Sequence, residues 1–213
     1  MKIVPAILTD KPEELRKMIA CAQEFCDLAQ IDIMDGKFVP SRSIPAEDLS
    51  GIKTSLRLEI HLMVEEPTRY LELFKRAGAE RIVFHYESKE DAAEVIRKIR
   101  ALGLGAGIAI NPQTSVVEVR RFLKDVDLIL LLSVNPGFYG SKFMPEVCDK
   151  AKELKDNKGE LIVAMDGGLK KDNILMIRDA GVDIACVGSG IFGGENPIQN
   201  YRSLLEMLSR PSG

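Results

Sequence analysis

Histidine is scarce in this 213-residue chain, with only His61 and His85 available for imidazole chemistry. Cysteine is nearly as scarce: Cys21, Cys26, Cys148 and Cys186 are scattered and match no zinc-binding spacing. Cys21 and Cys26 share one helical pattern but stand on different faces of it, so all four read as buried or half-buried thiols of a reducing compartment. Positive charge is not in excess. Against 32 Asp and Glu there are 29 Lys and Arg, for a net charge of −3, which leaves no basic footprint for nucleic acid. An anionic small ligand stays open, because a few local amides suffice to hold one phosphate. No apolar run reaches membrane-spanning length, and the stretch Met1–Pro5 is too short for a signal peptide. The expectation is a cytoplasmic protein with no membrane partner. Linkers, low-complexity tracts and compositional breaks are also lacking, so residues 1–213 are read as one domain.

What is present is a regular alternation. Apolar content of 46% and charged content of 29% are ordinary for a globular protein. Strand-length apolar runs occupy Ile3–Leu8, Leu28–Met34, Leu58–Met63, Arg81–His85, Gly105–Ile110, Leu128–Ser133, Leu161–Asp166 and Ile184–Gly188. Several are nearly continuous in aliphatic residues, as parallel strands buried on both faces are. Helix-period patterns separate them: Leu15, Met18, Ile19, Ala22 and Cys26; Tyr70, Leu71 and Phe74 after Pro67; Ala92, Val95, Ile96 and Ile99; Val116, Val117 and Phe122; Ile174 and Ile177; Leu204, Leu205 and Leu208. Between the second and third runs, Pro45–Lys53 offers at most a short helix. Glycine closes two helices in the same way, at Gly78 and Gly181, each a few residues before a strand. Eight such units predict an α/β fold, a (β/α)₈ barrel. A doubly wound open sheet needs a glycine-rich turn after the first strand, and Leu8–Pro12 has none.

Polar residues recur where barrel strands end, the position that faces an active-site mouth. Side chains alternate along a strand, so Gln30, Asp32 and Met34 share a face, and a carboxylate buried there is costly unless paired. The third run carries His61, with Glu59 one pleat nearer the bottom; the fourth ends at His85 with Glu87 beyond; the seventh ends at Asp166. Asp32 and Asp166 are expected on opposite sides of the barrel, where two carboxylates can take a proton from one face of a carbon and return one to the other. The plainer reading is that each caps an amide or meets a lysine. His61 alone reads as a hydrogen-bonded core residue; with two aspartates in reach a metal site for zinc, iron or manganese becomes credible, whereas His85 reads as structural and oriented by Glu87. Three glycine-rich segments, Asn135–Gly140, Asp166–Gly168 and Gly188–Gly190, follow the last three strands, the common phosphate site of barrels. Met34, Met63 and Met165 each read as core filler; collectively they could wall a pocket against water.

At these residues the chain resembles the ribulose-phosphate 3-epimerase family. The matching segments are Pro5–Leu8, Asp32–Pro40, His61–Met63, Phe84–His85, Ser133–Phe138, Asp166–Gly168 and Gly188–Phe192. The resemblance implies a (β/α)₈ barrel of pentose phosphate metabolism that inverts carbon 3 of a pentulose 5-phosphate, with a phosphorylated sugar as partner and a homo-oligomeric state. It implies Asp32 and Asp166 as the acid–base pair and, with His61, as ligands of one divalent metal ion. It places Gly137, Gly140, Gly167, Gly168, Gly188 and Ser189 around the phosphate and Met34 and Met63 against the substrate. The chain departs from the family pattern at Gln30, where a histidine ligand is usual, and at Ala6, Ser41, Leu132, Tyr139 and Ser141. Gln30 can ligate only through its carbonyl oxygen and shifts the expectation toward magnesium or manganese. The departures also leave open a hexulose 6-phosphate epimerase, a related aldolase, or a phosphosugar-binding protein without catalysis.

Overall fold

The structure, a computed structural model, describes residues 1–49, 51–137, 142–155 and 159–209. Eight strands run in chain order: β1 (Lys2–Ile7), β2 (Leu28–Met34), β3 (Arg57–Met63), β4 (Ala79–His85), β5 (Gly105–Ile110), β6 (Leu128–Leu132), β7 (Ile162–Asp166) and β8 (Ile184–Val187). Each pairs in parallel with its sequence neighbours, and β1 pairs with β8, so the sheet closes on itself. The (β/α)₈ barrel expected from the alternation is therefore the observed architecture.

Strand alternation splits the buried residues into two cores. The inward set includes Val4, Ala6, Val83, Ala109, Leu130 and Ala164, small enough for eight strands to converge. Gly107 belongs to this crowding: a Cβ there would lie 2.9 Å from Val83 Cγ2. The outward set is larger and meets the helices, with Phe74 and Phe84 fully buried, each worth about 1.5–3 kcal/mol of burial.

The outer layer holds α1 (Pro12–Ala22), α2 (Leu71–Arg76), α3 (Ala92–Ala101), α4 (Val116–Val119), α5 (Val147–Lys155), α6 (Ile174–Asp179), α7 (Ser189–Phe192) and α8 (Pro197–Leu208). Between β2 and β3 the described residues form an isolated antiparallel bridge of Asp35 with Arg42 and a 3₁₀ turn, Ala46–Leu49, in line with the weak helical pattern there. The caps explain where helices start. Asp91 accepts a hydrogen bond from the Glu94 amide to open α3, and Ser115 and Glu118 form a reciprocal capping box at α4. Gly78 and Gly181 take φ of +86° and +92° after α2 and α6, the left-handed C′ geometry read from the sequence.

Four sequence expectations need correction. Val117 is not on an inward face but 62% exposed; α4 buries Val116 and Val119, and the 3₁₀ turn that follows it buries Phe122. Leu205 of α8 is 40% exposed, and Tyr201 and Leu204 turn inward instead. Cys26 lies beyond the end of α1 rather than within it, and its thiol donates to the Ala22 carbonyl. Met165 faces the outer core, because it is one pleat out of phase with Asp166. The four cysteines are free thiols, Cys148 and Cys186 buried and Cys21 and Cys26 partly so.

Candidate active site

The strand registers assemble the polar cluster. Asp32 stands beside His61 across β2 and β3, Gln30 beside Ala6 across β1 and β2, and Asp166 between Leu132 and Cys186. β2 and β7 are three steps apart round the ring, through β1 and β8, rather than diametrically opposed. The two carboxylates accordingly come closer than an open pocket between facing walls would allow. Ligand atoms of Asp32, His61 and Asp166 all lie within 4.8 Å of one another.

Gln30 ties the acids together from below. It is fully buried, and its Nε2 donates to Asp32 Oδ1 at 2.8 Å and to Asp166 Oδ2 at 2.7 Å. His61 Nδ1 stands 3.1 Å from that Asp32 oxygen and 3.6 Å from that Asp166 oxygen. Asp32 Oδ2 and Asp166 Oδ1 lie outside this bridge. Burial, and then the charge of Asp166, push the Asp32 carboxyl above its ordinary range against the pull of His61 and Gln30. Burial alone would lower His61, but its hydrogen bonds to Asp166 and Asp32 outweigh it and hold the imidazole at about 9.

Behind His61 the chain of contacts continues. His61 Nε2 meets His85 Nε2 at 3.0 Å, and His85 Nδ1 meets Glu87 Oε2 at 3.2 Å. Both imidazoles are fully buried. The Phe38 ring covers His85 with centroids 4.8 Å apart. Asp35 fixes the loop that delivers Phe38: its Oδ1 accepts from the amides of Lys37 and Phe38, and its Oδ2 from that of Glu65. Ser133, also fully buried, shares its one hydroxyl proton between the carbonyls of Asp166, at 2.8 Å from Oγ, and Gly167, at 2.7 Å. That bond sets the turn after β7. Gly167 there takes φ of +110°, and a Cβ would lie 2.6 Å from Val134 Cγ2, so a side chain is refused both by backbone and by space.

One cavity gathers most of the residues singled out in the sequence. Asp32, His61 and Asp166 form its floor, and Met34 and Met63 stand over it with Val39. Gly137, Gly167, Gly168, Gly188 and Ser189 line it as well. Gln30 lies beneath, not in the lining, and presents its amide nitrogen rather than its oxygen to the acids. Gly140, with the departures Tyr139 and Ser141, lies outside the described residues. Cys186, which sequence reasoning missed, and Leu132, noted there only as a departure from the family pattern, also line the cavity. Their positions on the inward phase of β8 and β6, next to Asp166, were the available signal. It also undervalued His85, which touches the cluster directly.

The donor set fits a divalent cation. Two carboxylate oxygens and His61 Nδ1 are already gathered, and Gln30 Oε1 is buried with no hydrogen-bond partner among the described residues. A buried carbonyl oxygen without a partner is costly. Turning the amide over would bring that oxygen to the acids, where only a cation or added protons would make it welcome.

The family model described as "Ribulose-phosphate 3 epimerase family" matches residues 2–192. The ribulose-phosphate 3-epimerase of Bacillus subtilis (strain 168) is 36% identical over 201 residues, 91% of this chain and 93% of that one. That of Aquifex aeolicus (strain VF5) is 37% identical over 188 residues, 85% of each. Among solved structures, 3-hexulose-6-phosphate synthase from Salmonella typhimurium superposes with a TM-score of 0.74 at 16% identity, covering 98% of both chains, a likeness of fold alone. The chain belongs to the ribulose-phosphate 3-epimerase family, whose named members are carbohydrate isomerases.

Proposed function

We propose that this protein interconverts D-ribulose 5-phosphate and D-xylulose 5-phosphate by inverting carbon 3, with Asp32 and Asp166 as the two acid–base groups. The observation that carries this reading is the division of labour in each carboxylate. One oxygen of each is held by Gln30, with His61 Nδ1 beside it, while the other is outside the bridge and both residues line one cavity. With the substrate carbon between them, one carboxylate removes the C3 proton and the other, carrying a proton, delivers it to the opposite face. Burial, and then the charge of Asp166, raise the affinity of Asp32 for a proton, the direction that the acid role needs. Met34 and Met63 keep water from the carbanionic intermediate. Gly167, Gly168, Gly188 and Ser189 present backbone amides for the phosphate, with Gly137 alongside.

Asp32, Asp166 and His61 would hold a divalent cation, with Gln30 as fourth donor through its oxygen. Bound there, the ion supplies Lewis-acid stabilisation of the oxyanion that develops next to C3. Three oxygens and one nitrogen favour manganese or magnesium over zinc.

The test is an assay of the purified protein on a panel of phosphorylated ketoses with the metal content measured in parallel. Turnover of ribulose 5-phosphate to its C3 epimer supports the reading. Faster turnover of a hexulose 6-phosphate would move the substrate, and binding without turnover of any member would reject catalysis.

A further inference from the structure

The cluster contains more imidazole and carboxylate than proton transfer uses, and the surplus is ordered. Glu87 Oε1 accepts from the Asn111 amide at 2.8 Å and from the Thr114 hydroxyl, so Glu87 is held as a carboxylate and its Oε2 accepts from His85 Nδ1. The loop that supplies these two donors is itself pinned. Lys150 of α5 donates to the carbonyls of Asn111 at 2.9 Å, Pro112 at 2.8 Å and Thr114 at 2.6 Å.

Proton counting then runs inward. A neutral His85 that donates through Nδ1 has a lone pair on Nε2. The contact of 3.0 Å between His85 Nε2 and His61 Nε2 needs one proton between the two nitrogens, so it sits on His61. With Nε2 protonated, His61 turns Nδ1 to the cavity between Asp32 and Asp166, and the proton shared there with the two acids is the one that a cation displaces. We propose that His85 and Glu87 are positioning residues that fix the proton of His61 on Nε2, so that its Nδ1 lone pair is available to a divalent cation in the cavity.

Such support is general for imidazole ligands, and its loss costs about 10–100-fold in metal affinity. What is particular here is a second imidazole inserted between the ligand and the carboxylate, which makes the arrangement invertible by one atom. In Glu87→Gln the amide oxygen can still accept from Asn111 and Thr114, but the amide nitrogen then faces His85. His85 must accept at Nδ1, donate from Nε2, and push the proton of His61 onto Nδ1.

The proposal rests on the metal-holding part of the functional reading but not on the sugar chemistry, and its test uses no substrate. The full chain, dialysed against chelator, is titrated with Mn²⁺ and bound ion is counted. Imidazole nitrogens are assigned by ¹⁵N–¹H correlation, which is simple because the chain has two histidines. The expected result is His85 protonated on Nδ1 in the natural protein and on Nε2 in Glu87→Gln, with Mn²⁺ affinity lower by at least about tenfold in the variant and an unchanged unfolding temperature. His85→Gln, whose carbonyl can accept from His61 Nε2, is expected to retain more affinity than His85→Leu. A natural protein that binds no Mn²⁺, one with His85 protonated on Nε2, or a Glu87→Gln variant that binds as tightly as the parent would each overturn the proposal. Should Glu87→Gln fail to fold, the tautomer of the natural protein and the two His85 variants still decide. A chain that passes this test yet epimerises nothing would reject the proposed function alone.

Discussion

Two buried charged groups share the barrel interior, one near each end, and they are built on opposite plans. At the bottom, Glu59 is 1% exposed and meets Arg81 Nη1 at 2.8 Å, one acid against one base across adjacent strands. At the mouth, two acids share one amide and one imidazole. The lower pair is neutral as a unit. The upper cluster concentrates negative charge that only a shared proton or a cation relieves, and burial, then the charge of Asp166, pushes up the Asp32 carboxyl. A buried pair that balances itself reads as architecture; a buried cluster that does not balance reads as chemistry.

Mutations at the two ends should therefore separate activity from stability. The largest effect is expected at the mouth. Asp32→Asn or Asp166→Asn should lower turnover by about 10³-fold without loss of folding stability, since each removes one of two like charges. Turnover numbers and denaturant midpoints check this together. At the bottom, Arg81→Met should do the reverse. It strands the Glu59 carboxylate and costs about 3–5 kcal/mol, read by urea unfolding, while turnover per folded molecule is retained. Replacing both partners, Glu59→Leu with Arg81→Met, should recover most of that loss, because a satisfied pair and an apolar pair are nearly equivalent.

Gln30 sharpens the contrast further. Gln30→Met removes the donor shared by both acids and should cost about 1–3 kcal/mol. Added Mn²⁺ should restore that loss, by about 2.7 kcal/mol at a hundred times its dissociation constant. Thermal unfolding with and without the ion measures both. The equivalent experiment at the bottom, Mn²⁺ added to Arg81→Met, should restore nothing, because one carboxylate is not a chelate. The smallest effect belongs to the outer layer, where Val117→Ser on the exposed face of α4 should stay within about 0.5 kcal/mol.

These comparisons also mark how far the sequence could be read. The strands were legible because their aliphatic runs are local, and β4, β5 and β8 each begin shortly after a left-handed glycine, Gly78, Gly103 and Gly181. Asp32, His61 and Asp166 were legible as mouth residues because strand ends and side-chain phase are local too. Met165 sits in the outer core, as its reading as core filler has it, and the phase that keeps it from the pocket is local too, set by its neighbour Asp166. Gln30 was a different matter. Its role as a tie depends on β1 and β8 closing the ring between β2 and β7, a contact between residues 136 positions apart that no local pattern encodes. His85 reached the cluster for the same reason, through the stagger of β3 against β4, and its own neighbour Glu87 suggested only the outer half of the chain. The substituted loop positions Tyr139 and Ser141 lie outside the described residues, so their part in substrate choice is read from assays.

The central claim is that two carboxylates work on opposite faces of one carbon. It is tested most directly by running the reaction on D-ribulose 5-phosphate in D₂O and locating deuterium by NMR at low conversion. The account predicts that the D-xylulose 5-phosphate formed carries solvent deuterium at C3, because the returning proton comes from a different acid than the one that took the first. Epimer that retains its original C3 hydrogen, or label placed at another carbon, would contradict it.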